Sequence, residues 1–327
     1  MAVYDLNGTN IGVNVYDIDG NLLSQAYDIQ GNPLLPVHPS DQIEILPNRA
    51  TGDSTGFSFW LYNPGYSYPL YEVVDFMSDS YAFQSFCYDP QNNLFYKFDA
   101  TTTVRVYNSE FQKIGTITLP QSAGHTNDAC YKDGKIYFPG DHDETNVYVW
   151  DIANNTVSVL PVYDLPDPPP SAEKVAACVC NVPDENGYLY LVYIDMLSNE
   201  LNHNPNDKIE VYKYNLTTNT VALIASYPWD CVYAQGAEIY DGIMYIACNS
   251  PTTGAANNYT GITLKAIRLS DWAELPSLYA VGNFEPEGLS LYPYGANPEL
   301  MIGVGKYAVY SMVARFSIPY RIINQLT

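Results

Sequence analysis

The chain has 327 residues, of which 47% are hydrophobic, enough to bury a sizeable core and to argue against an intrinsically disordered protein. Lys and Arg number 14 against 36 Asp and Glu, and a net charge of −22 repels phosphate backbones and anionic lipid, which argues against nucleic-acid and membrane partners. No apolar stretch reaches the roughly 18 residues of a membrane-spanning helix, and the first residues lack the basic and apolar regions of a signal peptide.

Charged residues are only 15% of the chain whereas Tyr numbers 31, so much of the surface is neutral, polar and aromatic. Such a surface suits recognition, because Tyr supplies contact area at low entropic cost. Tyr is equally a good strand residue, and both readings stay open.

Residues 1–36 repeat one phrase three times, as Val-Tyr-Asp-Leu-Asn-Gly-Thr-Asn at 3–10, Val-Tyr-Asp-Ile-Asp-Gly-Asn at 15–21 and Ala-Tyr-Asp-Ile-Gln-Gly-Asn at 26–32. Each copy puts Gly where a turn after a short strand needs a left-handed residue, which predicts small β-turn units. This triple resembles the Tyr-Asp-x-x-Gly-Asn segments of tail and baseplate-associated proteins of phages and prophages from gut Firmicutes, where such segments precede a variable C-terminal module. The resemblance covers about a tenth of the chain and implies an attachment segment followed by a module of separate function. Residues 37–54, with Pro39, Pro47, Asn48 and Gly52, read as a linker, leaving 55–327 as the main domain.

Phe57–Tyr62 and Tyr71–Phe76 form a strand pair with no hairpin before it. From Phe83 onward a four-strand phrase repeats. Its clearest copy is His125–Gly140, a short strand, a Lys-Asp-Gly turn and a second strand, the strongest local hairpin signal in the chain. Matching hairpins start at Ser85, Cys178, Ala237 and Gly288. Outer strands follow at 103–107 and 114–119, 146–151 and 156–160, 209–214 and 221–225, and 262–267 and 275–281.

Aligned positions Cys87, Cys130, Cys180, Ile239 and Leu291 are spaced by 43, 50, 59 and 52 residues. Four antiparallel strands per unit at this spacing predict an all-β fold, a β-propeller of five blades with six as the alternative. The orphan strands at 57–76 are expected to supply the outer strands of the blade begun at Gly288, closing the ring. A sixth blade requires 306–318 to supply outer strands of its own. Cys87, Cys130 and Cys180 fall on successive first strands, too far apart to bridge, and all six cysteines read as reduced, buried hydrophobes.

In a propeller the first strands converge on the axis, so the residues at their heads are the candidate site. They are Phe83–Ser85, Gly124–Asp128, Ser171–Lys174, Gln235–Glu238 and Glu285–Gly288. The candidate ligand-binding residues among them are Gln84, His125, Asn127, Asp128, Gln235, Glu238, Glu285 and Glu287. Asp128, Glu238, Glu285 and Glu287 bring hard oxygen ligands that suit a divalent cation such as Ca2+. Solvation of an axial channel asks for the same polar residues without any metal, and no cofactor is otherwise implied. His142, in the acidic loop 140–146, reads as solvated.

Glu287-Gly288-Leu289 resembles a strand-head phrase of five-bladed glutaminyl cyclotransferases, and more distantly one near a Glu ligand in six-bladed gluconolactonase-like propellers. The resemblance spans three residues and implies a metal-dependent lactonase or cyclotransferase. No nucleophile elbow, zinc-protease motif, P-loop or dinucleotide fingerprint accompanies it.

The leading expectation is therefore a non-enzymatic phage or prophage structural or receptor-binding protein, with the propeller enzyme as alternative. Its expected partners are a cell-surface glycan or protein and other virion tail proteins. It is expected to be made in the cytoplasm and carried by the virion, or extracellular after lysis. Long loops at Ser198–Asp207 and Asn249–Gly261 break the repeat rhythm, and Asn258 and Tyr259 in the second suit a sugar ring and its hydroxyls.

Overall fold

Every described element of the computed structural model is a β-strand, twenty-two in all. The structure describes residues 61–63, 66–68, 70–75, 83–122, 124–140, 146–162, 173–181, 187–196, 208–229, 231, 233–249, 261–281, 285–292, 298–306 and 310–317. The repeat segment 1–36, the linker 37–54, His142, Asn258, Tyr259 and most of both long loops lie outside them.

Four consecutive strands make the first sheet: β4 (Phe83–Asp89), β5 (Leu94–Asp99), β6 (Thr103–Asn108) and β7 (Lys113–Thr118). The second holds β8 (Cys130–Lys132), β9 (Lys135–Pro139), β10 (Val147–Asp151) and β11 (Thr156–Val159). The third holds β12 (Glu173–Asn181), β13 (Tyr188–Met196), β14 (Lys208–Asn215) and β15 (Thr220–Pro228). In the fourth, β16 (Ala234–Tyr240), β17 (Ile243–Asn249), β18 (Gly261–Arg268) and β19 (Ala273–Val281) are followed by β1 (Leu61–Asn63) and β2 (Tyr66–Tyr68). The last runs β20 (Glu285–Tyr292), β21 (Glu299–Lys306), β22 (Tyr310–Ser317) and then β3 (Leu70–Asp75).

These sheets are arranged as the blades of a β-propeller. β4 packs against β8, β8 against β12, β12 against β16, β16 against β20, and β20 against β4. Apolar side chains fill the wedges between neighbours. Tyr96, Phe98 and Val104 meet Ile136, Phe138 and Trp150, and Val149 and Cys130 meet Leu191 and Tyr212. Val192 and Ile209 meet Met244 and Ile246 across the next wedge, and Met301 closes onto Phe86 and Phe95. With both faces covered, inner strands such as β4 and β17 are buried throughout instead of alternating.

Local chemistry explains the hairpins. Asp133-Gly134 and Asp241-Gly242 are two-residue loops with φ of 51°, 78°, 49° and 71°, the doubly left-handed geometry that matches the twist of the flanking strands. Cys87, Cys130 and Cys180 sit on β4, β8 and β12, opposite Tyr96, Tyr137 and Tyr190, in three different sheets. Cys87, Cys130, Cys178, Cys231 and Cys248 are buried free thiols.

Ring closure differs from the expectation in two respects. Only β3 joins the last sheet, whereas β1 and β2 extend the fourth through Tyr62 opposite Tyr279. The third strand of the last sheet is Tyr310–Ser317, paired with β21 from Lys306 to Glu299, so this stretch does not begin a sheet of its own. The physical reason is length: a hairpin of three-residue strands cannot cover the eight-residue β21, but β22 can.

Candidate functional site

The first strand of each sheet has an inner edge with no strand partner, and its N–H groups need acceptors. Asp128, immediately before β8, supplies one. Its Oδ2 accepts the N–H of Val179 on β12 at 3.1 Å and of Ala237 on β16 at 3.0 Å. The N–H groups of Ala129 and Leu289 also face the carboxylate without reaching hydrogen-bond geometry. One side chain thus gathers the equivalent backbone position of four first strands. Full burial pushes its pKa up to about 8, against the opposing pull of those four N–H groups.

The same equivalence defines levels along the axis. At the level of Asp128 stand Ser85, Cys178, Gly236 and Gly288. Gly236 is required there, since a Cβ would lie 2.5 Å from Leu289 N and 2.6 Å from Gly288 C. Gly288, at φ 102°, would put a Cβ 3.2 Å from Phe86 N and 3.4 Å from Ser85 Cα, a looser approach in a backbone conformation that favours glycine. β16, β20 and β4 therefore approach one another backbone to backbone at this level.

One level below lies Glu238, 3% exposed, whose Oε1 accepts the N–H of Ile239 at 3.1 Å. Burial raises its pKa to about 8, and the Asp128 charge adds to the shift. At the same level Ser290 Oγ accepts the N–H of Tyr88 on β4 at 3.2 Å. Burial pushes the Cys87 and Cys130 thiols up, followed by the Asp89, Asp128 and Glu238 charges at Cys87 and the Asp128 and Glu238 charges at Cys130.

One level above stand Gln84, Asn127, Gln235 and Glu287, buried at 5%, 6%, 1% and 5% exposure. Their position follows from irregular pairing. β4, β16 and β20 each carry a bulge at the head, between Phe83 and Ser85, Ala234 and Gly236, and Pro286 and Leu289, which places the polar residue in the bulge. β12 opens at Glu173, and its bulge falls further in, at Ala177. Gln84 Nε2 donates to Phe83 O at 3.1 Å, while Gln84 Oε1, Asn127 Oδ1 and Asp128 Oδ1 accept no hydrogen bond.

Of the sequence candidates, Gln84, Asn127, Asp128, Gln235, Glu238 and Glu287 are thus brought to the axis in three levels. His125 is half-buried on the approach to Asp128, and the backbone of Glu285 opens β20. Among the described residues no three His, Cys, Asp or Glu side chains group as metal ligands, and the Glu285 side chain lies outside them.

Sequence reasoning missed Ser290, and also a buried charge cluster on β5 and β6. Arg105 Nη1 lies 2.9 Å from Asp99 Oδ2, and Lys97 Nζ lies 3.7 Å from Asp99 Oδ1 and 5.3 Å from the centre of the Phe83 ring. Its signal was available: Lys97 and Asp99 share a strand face, and Lys97 pairs directly with Arg105.

No family model matches the chain, and no curated protein does. Among the described residues no helix is long and apolar enough to cross a membrane.

Proposed function

We propose that this chain is a five-bladed propeller that binds rather than catalyses, a structural or receptor-binding protein of a phage or prophage tail whose ligand is a cell-surface glycan. The observation that carries the binding reading is the use made of the axial carboxylates. Asp128 Oδ2 is spent on the N–H groups of Val179 and Ala237, and Glu238 Oε1 on that of Ile239, so each acts as backbone glue where an enzyme needs an open acid or base. The blade count is supported by five first strands packed in a closed circuit and by β3 completing the last sheet.

The glycan reading is supported by a chain rich in Tyr with few charges, and by Asn258 and Tyr259 in a loop that breaks the repeat. The triple Tyr-Asp-x-x-Gly-Asn phrase at 1–36 supports attachment to other virion tail proteins. Synthesis in the cytoplasm and release by lysis fit a chain in which Cys87, Cys130, Cys178, Cys231 and Cys248 are free thiols.

The test is binding of the purified chain to a panel of bacterial cell-wall and capsular glycans. Replacing Asn258 and Tyr259 with Ala is expected to abolish binding at an unchanged melting temperature. Turnover of a lactone or an N-terminal Gln peptide, lost in Glu238→Gln, would replace this reading with a propeller hydrolase or cyclotransferase.

A further inference from the structure

We infer, independently of the glycan reading, that the outer edge of the third sheet is a self-association surface, on which β15 of one copy of this chain pairs antiparallel with β15 of a second copy. An outer strand leaves one row of N–H and C=O groups unpaired, and such a row is a template for another strand unless it is covered, short, charged or bulged. β1 covers β19, β3 covers β22, β11 is four residues long, and β7 starts on Lys113. β15 relies on a bulge alone. It is nine residues long, Thr220–Pro228 contains no Asp, Glu, Lys or Arg, and no described strand pairs with its outer edge.

That bulge brings apolar side chains to the surface. Val221 packs into the wedge shared with the second sheet, whereas Ala225 and Tyr227 pack into the wedge shared with the fourth. The change of face falls where Tyr212 pairs with Leu223 and Val211 with Ala225, which leaves Ile224 without a register partner. Leu223 and Ile224 sit at this crossover, 43% and 36% exposed, held by neither wedge.

Charge selects a second copy as the occupant. At −22 the chain repels its own copies over most of its surface, but two β15 strands meet with no like charges opposite one another. A strand recognised by charge has nothing on Thr220–Pro228 to read. Antiparallel self-pairing also closes as a two-fold dimer, with Leu223 of each copy opposite Ile224 of the other, and joins two four-stranded sheets into one. A single strand pair about 30 Å long is at the small end of specific interfaces, so a weak, reversible dimer is expected.

The test is sedimentation velocity on the full chain from about 1 to 500 μM, with amide hydrogen exchange at both ends of that range. A reversible monomer–dimer equilibrium is expected, with exchange across 220–228 slowed by about tenfold at the high concentration while 113–118 and 156–159 are unchanged. Leu223→Lys and Ile224→Lys each put a charge on the edge and should raise the dissociation constant by about tenfold or more at an unchanged melting temperature. Ile114→Lys, at a 57% exposed position of β7, should keep the parent value. A chain monomeric throughout the range overturns the proposal, as does a dimer that both β15 variants leave intact, or association that continues past the dimer. Slow exchange of 220–228 in a monomer, lost on removing 1–36, would instead assign the edge to the N-terminal segment of the same chain. If a lysine variant fails to fold, the concentration dependence of exchange in the unaltered chain decides.

Discussion

Single residues hold this molecule together where the backbone turns or crowds. Asn93, Asn155 and Asn219 have φ of 57°, 48° and 55°, and each is gripped by an aromatic side chain five residues earlier. Tyr88 Oη donates to Asn93 Oδ1 at 2.6 Å, Trp150 Nε1 to Asn155 Oδ1 at 3.1 Å, and Tyr214 Oη to Asn219 Oδ1 at 3.0 Å. Asn155 also donates to Thr118 O of the preceding sheet at 3.2 Å. Asn155→Ala combines a left-handed Cβ penalty with lost hydrogen bonds and is expected to cost about 2–3 kcal/mol in urea unfolding. Asn155→Gly should recover the backbone part, and equal losses for both would sink the account. Gly236→Ala drives a methyl into Leu289 N and Gly288 C, neither of which is a flexible side-chain end, so a loss of about 1–3 kcal/mol or more is expected by the same measurement.

At the scale of strands, the N-terminal elements divide between two sheets. β3 covers the edge of β22 through pairs from Leu70 with Phe316 to Asp75 with Met312, and β1 covers the edge of β19 with a single registered pair. Among the described elements, removing 1–68 deletes β1 and β2, and a folded protein of lower melting temperature is expected. Removing 1–76 also deletes β3 and leaves the eight-residue β22 as an open edge, so insoluble or unfolded protein is expected. Removing 1–36 alone should leave the melting temperature unchanged. Soluble, cooperatively melting protein from the longest deletion would show that β3 does not close the ring.

For the whole molecule, the central feature is two carboxyl groups, Asp128 and Glu238, buried in one axis with pKa values raised to about 8. A carboxyl titrates near 4 in the unfolded chain, so the unfolded state gives up its proton first as pH rises. The stability contribution of each group is therefore greatest below about pH 4, falls as pH rises toward about 8, and levels off above. Self-repulsion at −22 adds a decline of its own, which a variant separates. Glu238→Gln keeps an acceptor for the Ile239 N–H without an ionisable proton. It should match the parent near pH 4, exceed it at pH 8, and show a shallower slope between them in calorimetric unfolding. Parallel curves for the two proteins would show that Glu238 ionises normally.

Sequence by itself determined what is local in this protein. The Asp-Gly turns at 133–134 and 241–242, the four-strand phrase and the placement of Cys87, Cys130 and Cys180 on successive first strands follow from turn stereochemistry and hydrophobic pattern within about ten residues. The polar strand heads were legible for the same reason, since Gln84, Asp128, Gln235 and Glu287 each precede an apolar strand segment. Only the tertiary structure decided how those heads meet. The bulges that align Gln84, Gln235 and Glu287 depend on pairing with the next strand, and Asp128 finds its partners 51 and 109 residues along the chain. The division of 61–75 between two sheets was likewise settled by which exposed edges remained at the end of the ring, a competition between strands more than 200 residues apart that no local pattern encodes.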